Sequence, residues 1–283
     1  MFMAFDDIPR THSFSLGDFH DFDFCVFRFF VNHHLGKKYE LAEGSANQTV
    51  GSLLDLAVKK FHLSHSYGQP VEYLPNLIKA AEAEIRQKVQ NSPSPYSFFS
   101  AQIPFLTPEV IGLANEIFKT YYQKIEGKFH KSLSNKTFWS YVLQGEKPLK
   151  LWGGPDTVEQ GEGGLPEVID YKYHEDSEAG KGRMDMDLMP KLYMLLVSPE
   201  LVSLGFEKAV FKLKFWQDPE DESFYEEFGI SSMPNLDAFF KDKIERILRT
   251  DELSFCEKPF CKPCNSPRRE EWVKELQAQF NLS

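Results

Sequence analysis

The nine residues Leu165–Tyr173, reading LPEVIDYKY, constrain this chain more than any other stretch. An apolar run that ends in alternating polarity reads as a β-strand. Side chains two apart on a strand share a face, so Asp170 and Lys172 lie together and Tyr171 turns away. LKLWGGPDTV, residues 149–158, reads as a strand just before it, with EQGEGG as the turn between them. Together they predict a hairpin that carries Asp156 close to Asp170. MDMDLMPKLYMLLV, residues 184–197, has helical period, although Pro190 requires a kink or a late helix start. KAVFKLKFWQ, residues 208–217, is a third strand, alternating through Val210, Lys212, Lys214 and Trp216. A hairpin, a helix and another strand predict an α/β core.

Upstream, Ser15 with Asp18 three residues on forms an N-cap pair. It opens a helix whose aromatics Phe19, Phe22, Phe27 and Phe30 recur at helical spacing and are expected in the core, with Cys25 in mid-helix. A second helix runs over VGSLLDLAVKKFHLSH, residues 50–65. Residues 70–148 read as mostly helical, with amphipathic stretches at 74–90 and 106–129 and a loop at 91–97. Helices are also expected at 235–250 and 270–280, on either side of a cysteine loop. The resulting division is N-terminal helices at 1–69, a helical insertion at 70–148, and a core with the cysteine segment at 149–283.

The 283 residues are 42% hydrophobic, enough for a substantial core, and carry a net charge of -10. That charge counts against broad phosphate neutralisation. It does not exclude a site that handles phosphate through a metal ion, because metal-binding carboxylates themselves add negative charge. The opening MFMAFDDIPRTH lacks a basic start followed by an apolar run, so no signal peptide is expected. No stretch of about 18 apolar residues exists, so no membrane span is expected, and the cytoplasm is the default. The four cysteines are too few for a disulfide scaffold. Three of them, Cys256, Cys261 and Cys264, crowd one short window, which points to a metal or cluster site completed by Cys25.

Phosphodiester hydrolysis needs a nucleophilic water and charge stabilisation on the phosphorus oxygens. Mg²⁺ supplies both and prefers a few carboxylate oxygens. Asp156 and Asp170 on neighbouring strands converge on one ion, the carbonyl of Tyr171 offers another oxygen, and the Lys172 ammonium orients the water or stabilises negative charge.

Pro155-Asp156 followed by Asp170-Tyr171-Lys172 resembles the motif of the PD-(D/E)XK nuclease superfamily. GGPDTV with GGLPEVIDYKY resembles its RecB-like version. Tyr193 matches the tyrosine of that version's QxxxY helix, with Met189 where Gln is usual. Gly51 through Asp55 resembles the upstream GxxxH helix, with Asp55 at the position of the metal-binding His. His62 and His65 lie further along the same segment and compete for that role, although a structural pairing is the plainer reading.

SFSLGDFHDFDFC, ending at Cys25, resembles the helix of cluster-bearing RecB-like nucleases such as the AddB C-terminal domain and the CRISPR-associated adaptation nucleases. Val26 replaces the usual Pro, and the Cys256-x4-Cys261-x2-Cys264 spacing puts the wider gap first.

The resemblance implies a restriction-endonuclease-like core, a mixed central sheet flanked by helices. It implies Mg²⁺ or Mn²⁺ at Asp55, Asp156, Asp170 and Tyr171, and a [4Fe–4S] cluster, or alternatively structural Zn²⁺, on the four cysteines. The implied substrate is DNA, as single strands or ends, cut by an exonuclease or end-trimming activity in repair, recombination or CRISPR adaptation with a helicase or recombination partner. A non-catalytic member of the fold that binds nucleic acid or such a partner is the alternative. Lys212 and Lys214, with Trp216 beside them, and Arg268 and Arg269 are the candidate nucleic-acid contacts. Lys208, Lys37, Lys38, Lys59 and Lys60 add to a thin basic surface.

Overall fold

The computed structural model describes residues 10–37, 44–91, 98–125, 129–145, 147–161, 163–173, 188–218 and 224–280. Lys38, residues 184–187 and most of the loop expected at 91–97 lie outside them. The chain forms two compact units. One comprises residues 1–42, 139–153 and 232–283, the other residues 43–138 and 154–231. No described helix is long and apolar enough to cross a membrane.

The first unit carries a three-stranded sheet of β1 (Ser13–Phe14), β3 (Leu149–Gly153) and β2 (Trp139–Leu143). β3 is central, parallel to β1 and antiparallel to β2. Its helices are α1 (Leu16–Phe24), α2 (Val26–Phe29), α7 (Met233–Leu248), α8 (Lys262–Asn265) and α9 (Arg269–Phe280).

The expected cap opens α1. The Asp18 carboxylate accepts the Ser15 N–H at 2.7 Å and its hydroxyl at 2.6 Å. The expected continuous helix does not follow. Cys25 is extended (φ -168°, ψ 120°) and separates α1 from α2. The N–H of Phe27, which a continuing helix would use internally, instead donates to the Ser254 carbonyl at 3.1 Å. A tertiary hydrogen bond therefore replaces a local one and sets Cys25 at a corner. Phe19, Phe27 and Phe30 are buried as expected, and Phe22 is half-buried. Phe14, Phe29 and His33 stack nearly parallel behind them.

The second unit is built on a four-stranded sheet ordered β4 (Thr157–Gln160), β5 (Pro166–Lys172), β6 (Lys208–Phe215), β7 (Tyr225–Gly229). The outer pairs are antiparallel, and β5–β6 is parallel. A parallel pair needs a crossover connection, and α6 (Leu188–Ser203) lies within it. Pro190 falls in the first described turn of α6.

On one sheet face Ile169 and Tyr171 join a core with α3 (Ala46–Leu63), α4 (Leu74–Gln90) and α5 (Pro108–Lys124). On the other face α6 covers the sheet, with Tyr193 and Phe211 at 6.3 Å between ring centroids. A mixed sheet flanked by helices is the expected restriction-endonuclease-like layout.

Three further expectations need correction. LKLWGGPDTV is not one strand. It breaks at Gly153 (φ 135°) and Gly154 (φ 159°), conformations open to glycine, and its halves pair in different sheets. Residues 139–143, expected within a mostly helical stretch, form β2: their aromatic and β-branched side chains suit a strand, and β3 supplies the pairing partner. Trp216 is 2% exposed and stacks on Tyr171 at 4.8 Å, so its ring belongs to the core and offers no face to a nucleobase.

Candidate active site

The β4–β5 register pairs Thr157 with Ile169, and one step further it sets Asp156 opposite Asp170. Asp156 is held there by its own backbone. Its N–H donates to the Ile169 carbonyl at 2.9 Å, and its Oδ2 accepts the Tyr171 N–H at 2.8 Å. Lys172, two residues beyond Asp170 on the same face, places its ammonium on Asp170 Oδ2. Tyr171 points to the opposite face and is buried against Trp216.

A helix completes the group. Asp55 and Lys59 are four apart on α3 and so share a face. Lys59 Nζ lies 2.9 Å from Asp156 Oδ1. The N-terminal half of α3 passes the end of β5, where a Cβ added to Gly51 would sit 3.8 Å from that of Tyr173. Lys59 was anticipated only as part of a basic flank. The Asp55-x3-Lys59 spacing is the signal that could have found it.

These groups act on one another electrostatically. Burial, and then the Asp156 charge, push the Asp55 carboxyl well above the usual carboxylate range, against the pull of Lys172 and Lys59. Burial also raises Asp170, although Lys172 opposes it. Burial disfavours the charge on Lys172, but Asp170, Tyr193, Asp156 and Asp55 outweigh it and hold the ammonium protonated. Asp156 does the same for Lys59. The Tyr193 phenol is pushed up by burial and then by Asp170, so it stays a neutral hydroxyl. Three carboxyl groups and two ammonium groups share a largely desolvated place, and carboxyl oxygens are the donors a hard divalent cation takes.

Other candidates fall elsewhere. His62 Nδ1 is 2.9 Å from the Tyr67 hydroxyl and its Nε2 is 3.3 Å from Glu159 Oε1, so the ring is committed to a buried network. His65 lines a shallow recess with Tyr67, Phe129 and Lys131. Met189 is buried and brings no hydrogen-bonding side chain to the position usually held by Gln. Lys212 and Lys214 pair in register with Ile169 and Tyr171, and therefore lie on the sheet face away from Asp170. Lys212 is also bound to Glu167 at 2.7 Å, and Lys208 to Glu227 at 2.7 Å. In the other unit, Arg268 pairs with Glu271 at 2.8 Å, and the Arg269 guanidinium lies 5.6 Å from the Phe255 ring centre.

The first unit gathers the four cysteines. Their sulfurs all lie within 4.8 Å of one another, with Cys25 and Cys264 at 3.5 Å. Cys25, Cys261 and Cys264 are buried and Cys256 is partly exposed.

A mixed sheet between helices, with carboxylates and an ammonium at the ends of adjacent strands, is the layout of a nuclease core. The family model of the PD-(D/E)XK nuclease superfamily matches residues 13–269, and the chain belongs to that superfamily. Its members are nucleases and generally use divalent metals. No curated protein matches the chain. Among solved structures, the crystal structure of SSO0001 is similar over 78% of this chain and 84% of that one, at 15% identity and a TM-score of 0.25. A likeness that low carries no argument about function.

Proposed function

We propose that this chain is a Mg²⁺- or Mn²⁺-dependent DNA nuclease of the RecB-like kind. The observation that carries the reading is the β4–β5 register, which sets Asp156 beside Asp170 with the Lys172 ammonium on the latter.

Asp55, Asp156 and Asp170 would hold the ion, with the Tyr171 carbonyl offering a further oxygen. When bound, the ion supplies a more acidic water and charge stabilisation at the scissile phosphate. Lys172, kept charged by four surrounding groups, orients the water and faces the charge that develops on the phosphate. The Tyr193 hydroxyl, kept protonated by burial, offers a hydrogen-bond donor beside Lys172. Lys59 steadies Asp156.

The substrate is DNA, trimmed from ends or as single strands in repair, recombination or CRISPR adaptation, beside a helicase or recombination partner. That part of the reading rests on the family resemblance. The four cysteines hold a separate metal centre that ties the N-terminal helices to the C-terminal segment.

The test is cleavage of end-labelled single- and double-stranded DNA with Mg²⁺, with Mn²⁺ and with chelator, comparing wild type with Lys172→Ala. Metal-dependent cutting lost in the variant supports the reading. Binding without cutting under every metal condition points instead to the non-catalytic form of the fold.

A further inference from the structure

We infer that the four cysteines form a single-ion, tetrahedral tetrathiolate site for Zn²⁺ rather than the seat of an iron–sulfur cluster. The inference rests on the reading of the quartet as a metal centre and is independent of the nuclease chemistry.

Size decides between the two. One Zn²⁺ with thiolates at about 2.3 Å sets its four sulfurs at the corners of a tetrahedron with edges of roughly 3.8 Å. A [4Fe–4S] cube stands between its four thiolates and holds them roughly 6 Å apart. Here every pair of sulfurs is within 4.8 Å, with Cys25–Cys264 at 3.5 Å and Cys256–Cys264 at 3.9 Å. The cluster expected from the family resemblance does not fit this spacing, and one ion does.

The surrounding backbone agrees. Cys25 sits at the extended corner between α1 and α2, and that corner is fixed by the Phe27 N–H on Ser254. Cys261 is the N-cap of the short α8, and Cys264 lies within it, so the Cys-x2-Cys pair presents both sulfurs from one turn. Asn265 ties the turn together, its side-chain amide donating to the carbonyls of Lys258 at 3.0 Å and Cys261 at 2.9 Å. Backbone N–H groups reach the sulfurs as well, that of Lys258 to Cys256 and that of Cys264 to Cys261. Donors of this kind orient and stabilise thiolate ligands. Four thiolates and one Zn²⁺ leave a charge of minus two, and the Arg269 guanidinium lies alongside, 3.4 Å from the Cys264 carbonyl.

The test is the metal content of the full-length protein, purified anaerobically from cells supplied with both iron and zinc. The expected result is about one zinc per chain, no acid-labile sulfide and a colourless solution. Chelator-stripped protein titrated with Co²⁺ should develop the visible absorption of tetrahedral thiolate cobalt and saturate at about one equivalent per chain. Cys256→Ser, which alters the most exposed ligand, should shift that spectrum and weaken zinc retention at least tenfold, while Lys172→Ala retains zinc fully. About four iron and four sulfide per chain with brown absorption would overturn the single-ion site and leave a metal centre standing. A protein that holds neither metal would overturn both.

Discussion

At the scale of single residues, Lys172 and Asp18 show what a local environment does to a charged group. Lys172 is buried, yet it stays protonated because four acidic or phenolic groups surround it. Under the proposed nuclease function, removing its ammonium would take away charge stabilisation at the reacting phosphate, and such losses run to about 10²–10³ in rate. Lys172→Ala should therefore lower kcat by that order with little change in KM, and with an unchanged circular dichroism spectrum. A variant that cuts DNA within a few-fold of wild type would remove Lys172 from the mechanism. Asp18 answers to pH. Burial pushes its carboxyl up, but hydrogen bonds from His33 and Ser15 and the His33 charge pull harder, so its folded value lies below the ordinary 3.8. The unfolded chain thus holds the proton more tightly than the fold. The stabilisation is full above about pH 4 and is lost as pH falls through the depressed value. Urea melts of Asp18→Asn should show a shallower loss of stability below pH 4 than wild type.

At the scale of elements, the β4–β5–β6 ribbon decides which residues share a face. Asp170 and Lys172 share theirs with Leu213 and Phe215, while Tyr171 shares the other with Lys214. This much was legible from alternation along DYK. The placement of Lys212 and Lys214 was not, because alternation gives the period of a strand and leaves open which face its neighbour presents. Lys214→Gln should accordingly leave DNA affinity within about twofold of wild type, since a phosphate contact would show in both affinity and salt dependence. A clear fall in both, measured by fluorescence anisotropy, would return Lys214 to the interface. Trp216 also belongs to this scale. Its ring packs on Tyr171, Tyr121 and Phe118, beside β5. Trp216→Ala should cost about 3–5 kcal/mol of stability by denaturant unfolding.

At the scale of the whole molecule, metal and stability are linked. Burial first, and the Asp156 charge after it, raise both Asp55 and Asp170, so under the proposed function a divalent ion bound there would offset a cost that the metal-free fold carries. Mg²⁺ should therefore raise Tm, by an amount that grows with the logarithm of its concentration. Asp55→Asn removes part of that cost. It should raise the metal-free Tm by about 2–4 °C, for roughly 1 kcal/mol in a chain of this size, and reduce the further gain from Mg²⁺. If Mg²⁺ stabilises the variant as much as wild type, Asp55 is no ligand.

Whatever depends on neighbours in the chain could be read from the residues in order. The capping pair at Ser15 and Asp18, the shared face of Asp170 and Lys172 and the opposite turn of Tyr171 follow from fixed backbone periods, and the crowding of three cysteines from their nearness in sequence. What depends on partners far away in the chain could not. Cys25 leaves its helix because Ser254 takes the Phe27 N–H. Residues 149–158 divide between two sheets because each half finds a different strand. Lys59 joins the carboxylates because α3 passes the end of β5. A hydrogen bond or ion pair between distant segments outweighs local propensities of a few tenths of a kcal/mol, and only the folded chain shows which of those pairings form.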